Sequence, residues 1–187
     1  NLDYLLHTFQ KTRNKEALNM VEHTYKKMAQ GGLYDQLGGG FARYSTDDRW
    51  VVPHFEKMLY DNAQLIQVGT NLFRLTKDSF YREIVDKTIQ YILRDMTNSE
   101  GAFYSAEDAD SEGKEGTFYL WTVAEIKSLL PDKVADIFID RFGLTINGNF
   151  QDPHSRESGK NILTIDKPID QVALKFQKTP EEIVQIL

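Results

Sequence analysis

The chain has 187 residues, of which 41% are hydrophobic and 12% aromatic, so it holds enough apolar side chains for a packed core. Its 22 Lys and Arg against 28 Asp and Glu give a formal net charge of −6, which disfavours sequence-independent nucleic-acid binding. The absence of cysteine excludes disulfides, thiolate nucleophiles and Cys-ligated zinc.

The expected cellular location of the protein follows from the targeting and membrane segments that its sequence lacks. No apolar run approaches the roughly 20 residues that cross a bilayer, and no secretory signal is visible. We therefore expect a cytoplasmic protein with no membrane and no nucleic-acid partner. The chain begins at Asn1 and stops at Leu187 within an apparent helix, which indicates a piece of a longer protein.

Apolar residues recur at helical spacing along most of the chain. The helices over 55–75 and 79–96 are joined by so few residues that they must lie antiparallel. Capping boxes begin helices at Thr122 and Thr179. The pattern predicts helices over about 15–30, 55–75, 79–96, 122–130 and 132–142 and after 179, with the end of another within 1–13.

Two structured loops interrupt the helices. Residues 41–44 and 49–52 flank a polar turn, and residues 103–104 and 117–121 flank an acidic one, so both pairs are predicted as hairpins. Helical hairpins with long ordered insertions indicate an all-α fold, part of an (α/α)6 toroid whose loops build a site at one end. A complete toroid needs roughly twelve helices, so we expect 1–187 to be one incomplete domain.

The first loop, residues 31–61, holds the glycine triplet Gly38-Gly39-Gly40 and a polar segment around His54. The triplet lacks the Lys-Ser/Thr of a phosphate-binding loop, so we interpret it as a tight turn between aromatic strands.

His54 is followed by several charged residues at the predicted start of the long helix. Helical spacing would place His54, Lys57 and Asp61 on one face. Together with Glu56, this histidine and its acids are candidates for proton transfer. The alternative is structural, with Glu56 favoured by the helix dipole and Asp61 paired with Lys57.

The second loop, residues 101–116, is acidic. Glu107 and Asp108 are a candidate carboxylate pair for acid–base chemistry. The spacing of Asp108, Asp110 and Glu112 resembles the first half of a calcium loop, but its twelfth position is Tyr119, so we expect no metal. We interpret the remainder, residues 111–116, as a solvated turn.

Polar and aromatic residues near these candidates could bind a sugar by hydrogen bonding and stacking, although the aromatics could equally be core or hairpin pairs. His154 could reach a site only if its loop folds back. The candidate substrate-binding residues are Tyr34, Asp35, Arg43, Tyr44, Trp50 and Tyr104.

Two strings, GGLYDQLGGGFARYSTDDRWVVPHFEKMLYDNAQL and EGAFYSAEDADSEGKEGTFYLWT, resemble the thioredoxin-domain-containing proteins related to spermatogenesis-associated protein 20. The resemblance implies a thioredoxin-like domain followed by an (α/α)6 barrel similar to six-hairpin glycosidases and N-acylglucosamine 2-epimerases. It places this chain in the first part of that barrel, with the thioredoxin-like domain absent from the chain and serving as its partner.

The resemblance implies sugar chemistry only by analogy between folds. We expect a carbohydrate ligand, no cofactor, and a sugar epimerase, isomerase or glycoside hydrolase. The alternatives are a non-catalytic binding scaffold attached to the thioredoxin-like domain and a purely structural half-barrel.

Overall fold

The computed structural model describes residues 1–151 and 158–187. The chain forms two compact units, residues 1–115 and 116–187, each built from helices that pack against their neighbours in sequence. Within the described residues the helices are α1 (Leu2–Thr12), α2 (Lys15–Gln30), α3 (Leu59–Thr76), α4 (Ser79–Asp95), α5 (Val123–Leu129), α6 (Asp132–Phe142), α7 (Ile169–Phe176) and α8 (Pro180–Ile186).

Most helix positions follow the predicted signals. Thr122 and Thr179 both form complete capping boxes, and α6 ends at Gly143 with a φ of 68°. The helix α7 was not predicted, because it is only eight residues long and its N-cap, Pro168, provides no side-chain hydrogen bond. None of the helices in the described part of the chain is long and apolar enough to span a membrane.

In the part of the chain that the structure describes, the strands are β1 (Tyr44–Ser45), β2 (Pro53–His54), β3 (Lys57–Met58), β4 (Ala106–Glu107), β5 (Asp110–Ser111), β6 (Lys114–Glu115), β7 (Leu120–Trp121) and β8 (Asn161–Ile162). These two-residue strands form four separate antiparallel pairs, β1 with β2, β3 with β4, β5 with β6 and β7 with β8. The predicted all-α class is thus confirmed.

The long helix begins later than predicted. Residues 53–58 are extended, and α3 starts only at Leu59. Backbone pairing holds this segment extended, because Tyr44 pairs with His54, and the Leu59 N–H donates to the Ser105 carbonyl oxygen at 3.0 Å. The prediction that His54 begins a helix and shares a helical face with Lys57 and Asp61 is therefore wrong.

The predicted hairpin around the acidic loop is also wrong. The turn is at Glu112-Gly113, where both residues have positive φ angles of 56° and 77°, as in the tight turns that match strand twist. The strands β5 and β6 flank this turn, while residues 117–119 form a 3₁₀ turn and β7 pairs with β8. His154 lies outside the described residues.

The core of the first unit is aromatic and lies beneath the first loop. Tyr25 packs edge-on against both Phe41 and Tyr81, with ring centroids 5.8 Å apart in each pair. Tyr34 packs against Phe41 at 4.9 Å. Phe41 is completely buried in this core, and it therefore anchors β1, which follows it at the surface of the unit.

Candidate active site

Residues 53–58 alternate between buried and partly exposed positions, as expected for a half-buried strand. Phe55 and Lys57 are buried, while His54 and Glu56 lie on the other face. The strand period of two therefore places His54 beside Glu56 and separates both from Lys57.

The turn between β1 and β2 is ordered by Asp47. Its Oδ1 accepts hydrogen bonds from the Ser45 hydroxyl at 2.9 Å and from the Val51 N–H at 3.0 Å. The Trp50 carbonyl oxygen in this turn accepts the Gly32 N–H at 2.8 Å, and a side chain at Gly31 would collide with that carbonyl oxygen. The turn is thus fastened to the end of α2.

His54 is held on several sides. Its Nδ1 lies 2.7 Å from Glu115 Oε1, and its Nε2 lies 3.8 Å from Glu56 Oε2. The ring stacks on that of Tyr44, its partner across the strand pair, with centroids 5.1 Å apart and an interplanar angle of 26°. This arrangement fixes both the position and the plane of the imidazole.

Arg43 lies next to these groups and pairs with Glu56. The Arg43 guanidinium donates to Glu56 Oε2 at 2.9 Å, and the Arg43 N–H donates to the Glu56 carbonyl oxygen at 2.8 Å. The hydrogen bond to Glu56 and the neighbouring Tyr60 raise the pKa of Arg43. Arg43 and Glu56 thus form an ion pair that a backbone hydrogen bond between the same two residues accompanies.

Asp61, in the first turn of α3, has different surroundings. Its Oδ2 is buried and has no hydrogen-bond partner within the described residues. Burial raises the pKa of Asp61, the positive charge of Arg43 opposes that rise, and the negative charge of Glu56 adds to it. This carboxyl holds a proton more readily than an exposed aspartate does.

These residues form one group, which we call the histidine cluster. It unites several predicted candidates with Tyr60, which was not among them, and with Glu115, which lies in the segment predicted as a solvated turn. The glycine at position 113 was a usable signal for the hairpin, but no local pattern indicates which residue the hairpin meets. The histidine cluster comprises Arg43, Tyr44, His54, Glu56, Tyr60, Asp61 and Glu115.

Asp35 and Glu107 belong to a different group around Lys57, whose side chain is 3% exposed. The Lys57 ammonium donates to Asp35 Oδ2 at 2.9 Å and to the Gly39 carbonyl oxygen at 3.0 Å, and it lies 4.3 Å from the centre of the Tyr91 ring. The Tyr91 hydroxyl donates to Glu107 Oε2 at 2.6 Å. The pairing of Asp61 with Lys57 that we considered does not occur, because Lys57 points to the opposite face.

The remaining candidates are not among the residues that contact one another in the histidine cluster. Tyr34 is in the core, and burial raises the pKa of its hydroxyl. Asp108 is exposed and accepts the Asp110 N–H at 3.0 Å, which shapes the acidic loop. Trp50 is partly buried and Tyr104 is 53% exposed. Roles in ligand binding for these residues stay predictions.

The charges of the histidine cluster suit acid–base chemistry. It combines one imidazole, one guanidinium and three carboxyl groups in unlike surroundings. In residues 1–151 and 158–187, no group of three or more His, Asp or Glu side chains is arranged to hold a metal ion. The class defined by fold and site is a helical-hairpin domain with a cluster of ionisable side chains built by its loops and the start of α3.

The comparison with known proteins shows relatives of the predicted family. Human spermatogenesis-associated protein 20 is 41% identical over 91% of this chain, and the mouse protein is 39% identical over the same share. An uncharacterized protein of Caenorhabditis elegans is 37% identical over 87% of the chain. The chain is homologous to spermatogenesis-associated protein 20, which confirms the family, and it spans about a quarter of the length of these relatives. No family model matches the chain.

A solved structure shares the fold. A D-mannose isomerase with an (α/α)6 barrel matches 57% of this chain and 27% of its own length, with a TM-score of 0.51 and 18% identity. The predicted fold class, part of an (α/α)6 toroid, is thereby confirmed. At this identity the likeness concerns the fold alone.

Proposed function

We propose that the histidine cluster is an acid–base site that moves a proton at the carbon next to a sugar carbonyl, as a sugar epimerase or isomerase does. The observation that carries this proposal is the fixed imidazole of His54, held by Glu115 and stacked on Tyr44. Proton abstraction needs a base that is held within reach of the proton, and an imidazole nitrogen can serve as that base. The architecture shared with a sugar isomerase supports the same reaction class by analogy.

The neighbours of His54 supply the other functions that such a reaction needs. Arg43 is exposed beside His54, so its guanidinium can stabilise negative charge that develops on a sugar oxygen. Tyr44 is 51% exposed and offers a stacking surface for a sugar ring. Glu56 and Asp61 are carboxyl groups that can exchange protons with sugar hydroxyls.

Glycoside hydrolysis is the second candidate, and one observation favours it. Glu56 is paired with Arg43, whereas burial raises the pKa of Asp61. A glycosidase needs one ionised and one protonated carboxyl group, and the raised pKa of Asp61 favours its protonated form. In this reading His54 would position the carboxylates instead of transferring the proton.

The test uses the natural protein and a panel of neutral and N-acyl sugars in D₂O, with proton NMR to follow deuterium exchange next to the carbonyl. Chromogenic glycosides test hydrolysis in parallel. We expect His54→Gln to lower exchange by roughly 10²–10⁴-fold, the usual share of general acid–base catalysis. The matched control is His23→Gln, an exposed histidine on α2, which should leave exchange unchanged.

The outcomes separate the candidates. No exchange with any sugar, or full exchange in His54→Gln, contradicts the epimerase or isomerase proposal. Hydrolysis that requires Glu56 and Asp61 supports the glycosidase. Sugar or protein binding without chemical change supports a scaffold that presents ligands to a thioredoxin-like domain.

A further inference from the structure

The side chain of Glu115 reaches His54 from a separate hairpin, 61 positions along the chain. Its Oε1 lies 2.7 Å from His54 Nδ1 and accepts the Phe55 N–H at 3.2 Å. One carboxylate oxygen is therefore held by two consecutive residues of the segment that carries the imidazole. This anchoring defines where the carboxylate lies relative to the ring.

An ionised carboxylate can only accept hydrogen bonds, so the hydrogen bond at 2.7 Å requires a proton on Nδ1. In a neutral imidazole the second nitrogen, Nε2, then carries the lone pair. The stacking of the ring on Tyr44 keeps the plane of the imidazole fixed. The contacts of His54 therefore distinguish its two nitrogens chemically.

The surroundings of Nε2 are consistent with a reacting nitrogen. The nearest carboxylate oxygen of Glu56 lies 3.8 Å away, too far for a hydrogen bond, and that same oxygen accepts the Arg43 guanidinium. Nε2 thus forms no hydrogen bond with Glu56, whose near oxygen is already paired with Arg43.

We infer that Glu115 is a positioning residue that holds His54 with its proton on Nδ1, so that Nε2 is the atom that takes and returns the proton. The reacting role rests on the proposed function, whereas the tautomer does not. In the step, the C–H bond next to the sugar carbonyl breaks, its electron pair forms a carbon–carbon double bond, and the carbonyl electron pair moves to the oxygen, which gives an enediolate whose negative charge Arg43 can stabilise. The proton moves to Nε2, and the resulting imidazolium is stabilised by Glu115 until Nε2 returns the proton to carbon.

The test measures the tautomer directly. The natural protein is labelled with ¹⁵N in histidine, and long-range ¹H–¹⁵N spectra are recorded at about pH 8, above the usual histidine range. His54→Gln assigns the signal by its loss. We expect Nδ1 to carry the proton in the wild type and in Glu115→Gln, because the amide oxygen still accepts, and to lose it largely to Nε2 in Glu115→Ala.

Glu112→Gln is the matched control, since Glu112 is an exposed acid in the turn of the same hairpin and should leave the tautomer unchanged. A wild-type His54 with its proton on Nε2 overturns the inference, and this result needs no variant that might fail to fold. A folded Glu115→Ala protein, judged by unchanged amide signals of the core, that keeps the wild-type tautomer also overturns it.

Turnover provides the second measurement. If sugar exchange is observed, we expect Glu115→Ala to lower kcat by about 100-fold with a smaller change in KM, because the reacting nitrogen is then protonated. Exchange that is unaffected by Glu115→Ala contradicts the positioning role. A wild type with the expected tautomer and no exchange contradicts the proposed function alone.

Discussion

Glu56 and Asp61 lie close in the sequence, yet their carboxyl groups have unlike surroundings. Glu56 is partly exposed and accepts a hydrogen bond from Arg43, whereas one oxygen of Asp61 is buried without a partner in the described residues. For Asp61 this burial raises the pKa of the carboxyl group, an effect of solvation that the residue type alone does not reveal. A list of acidic residues therefore cannot assign acid and base.

Asp61→Asn tests the effect of burial on this carboxyl group. Because burial raises the pKa of Asp61 in the folded protein, the native state binds its proton more tightly than the unfolded state, and ionisation lowers the free energy of unfolding as pH rises above about 4. We expect Asp61→Asn to be more stable than the wild type at pH 7. The gain should fade as pH drops below about 4.

Urea unfolding of both proteins at several pH values measures this difference. Asp108→Asn is the control, because Asp108 is exposed and asparagine can also accept the Asp110 N–H, so its effect should stay within about 0.5 kcal/mol. A destabilised Asp61→Asn at pH 7, or a difference that does not depend on pH, would count against the role of burial.

At the scale of secondary-structure elements, the first loop is held to α3 by a buried amide. Asn62 is completely buried. Its Oδ1 accepts the Phe41 N–H at 2.7 Å, and its Nδ2 donates to the carbonyl oxygens of Phe41 and Met58 at 3.0 Å each. The amide satisfies backbone groups that would otherwise be buried without partners, and it holds the segment that leads through Arg43 into β1.

Asn62→Ala should therefore destabilise the first unit. It leaves the N–H and carbonyl of Phe41 without this partner, and we expect a loss of about 2–4 kcal/mol for the two groups. Chemical unfolding gives the change in free energy. Gln67→Ala, at an exposed position on the same helix, should change it by less than about 0.5 kcal/mol. Equal effects of the two substitutions would show that the amide contacts contribute little.

Across the whole molecule, most carboxyl groups with a shifted pKa are stabilised in the ionised form. For Asp47, Asp78 and Asp140, burial acts to raise the pKa, but hydrogen bonds from neighbouring groups outweigh it and the pKa is lowered. For Glu125 the largest cause of the lowered pKa is the backbone hydrogen bond from Thr122. These groups occur in both units.

The protein should consequently lose stability in acid. A carboxyl whose pKa is lowered by folding contributes stability above its ordinary pKa, and that contribution is lost as pH falls through the ordinary value near 4 toward the folded one. We expect the free energy of unfolding to decline below about pH 4.5. Urea unfolding from about pH 7 to pH 2 measures the decline. Asp61 acts in the opposite direction, because a carboxyl whose pKa is raised by folding contributes more stability in acid.

Asp140→Asn identifies one source of the acid response. Asp140 pairs with Lys167 and Lys175, so its removal should make the pH dependence shallower. Asp136→Asn is the control on the same helix, because the ion pair of Asp136 with Lys127 is exposed and spans 3.6 Å. An unchanged slope in Asp140→Asn would contradict the assignment.

Much of the fold could be predicted from the sequence by itself. Helical periodicity located α2, α4 and α6, and the cap residues Thr122 and Thr179 begin the helices that they predicted. These signals succeed because helix contacts and caps join residues three or four positions apart, which a linear pattern displays. The two quoted motifs indicated the family because each is a contiguous string that can be compared directly with known sequences.

The candidate site was only partly predictable. His54, Glu56 and Asp61 were singled out by residue type, but the helical face assigned to them was wrong, because residues 53–58 pair as strands. The partners that hold His54 and Lys57 extended lie at positions 44 and 107, and Glu115 comes from a hairpin still further along. The sequence by itself determined most of the helices, the family and the residue types of the site. Only the tertiary structure decided which of those residues meet. Backbone pairing and burial bring together segments that are far apart in the sequence, and a local pattern of residues does not indicate which distant segment is the partner.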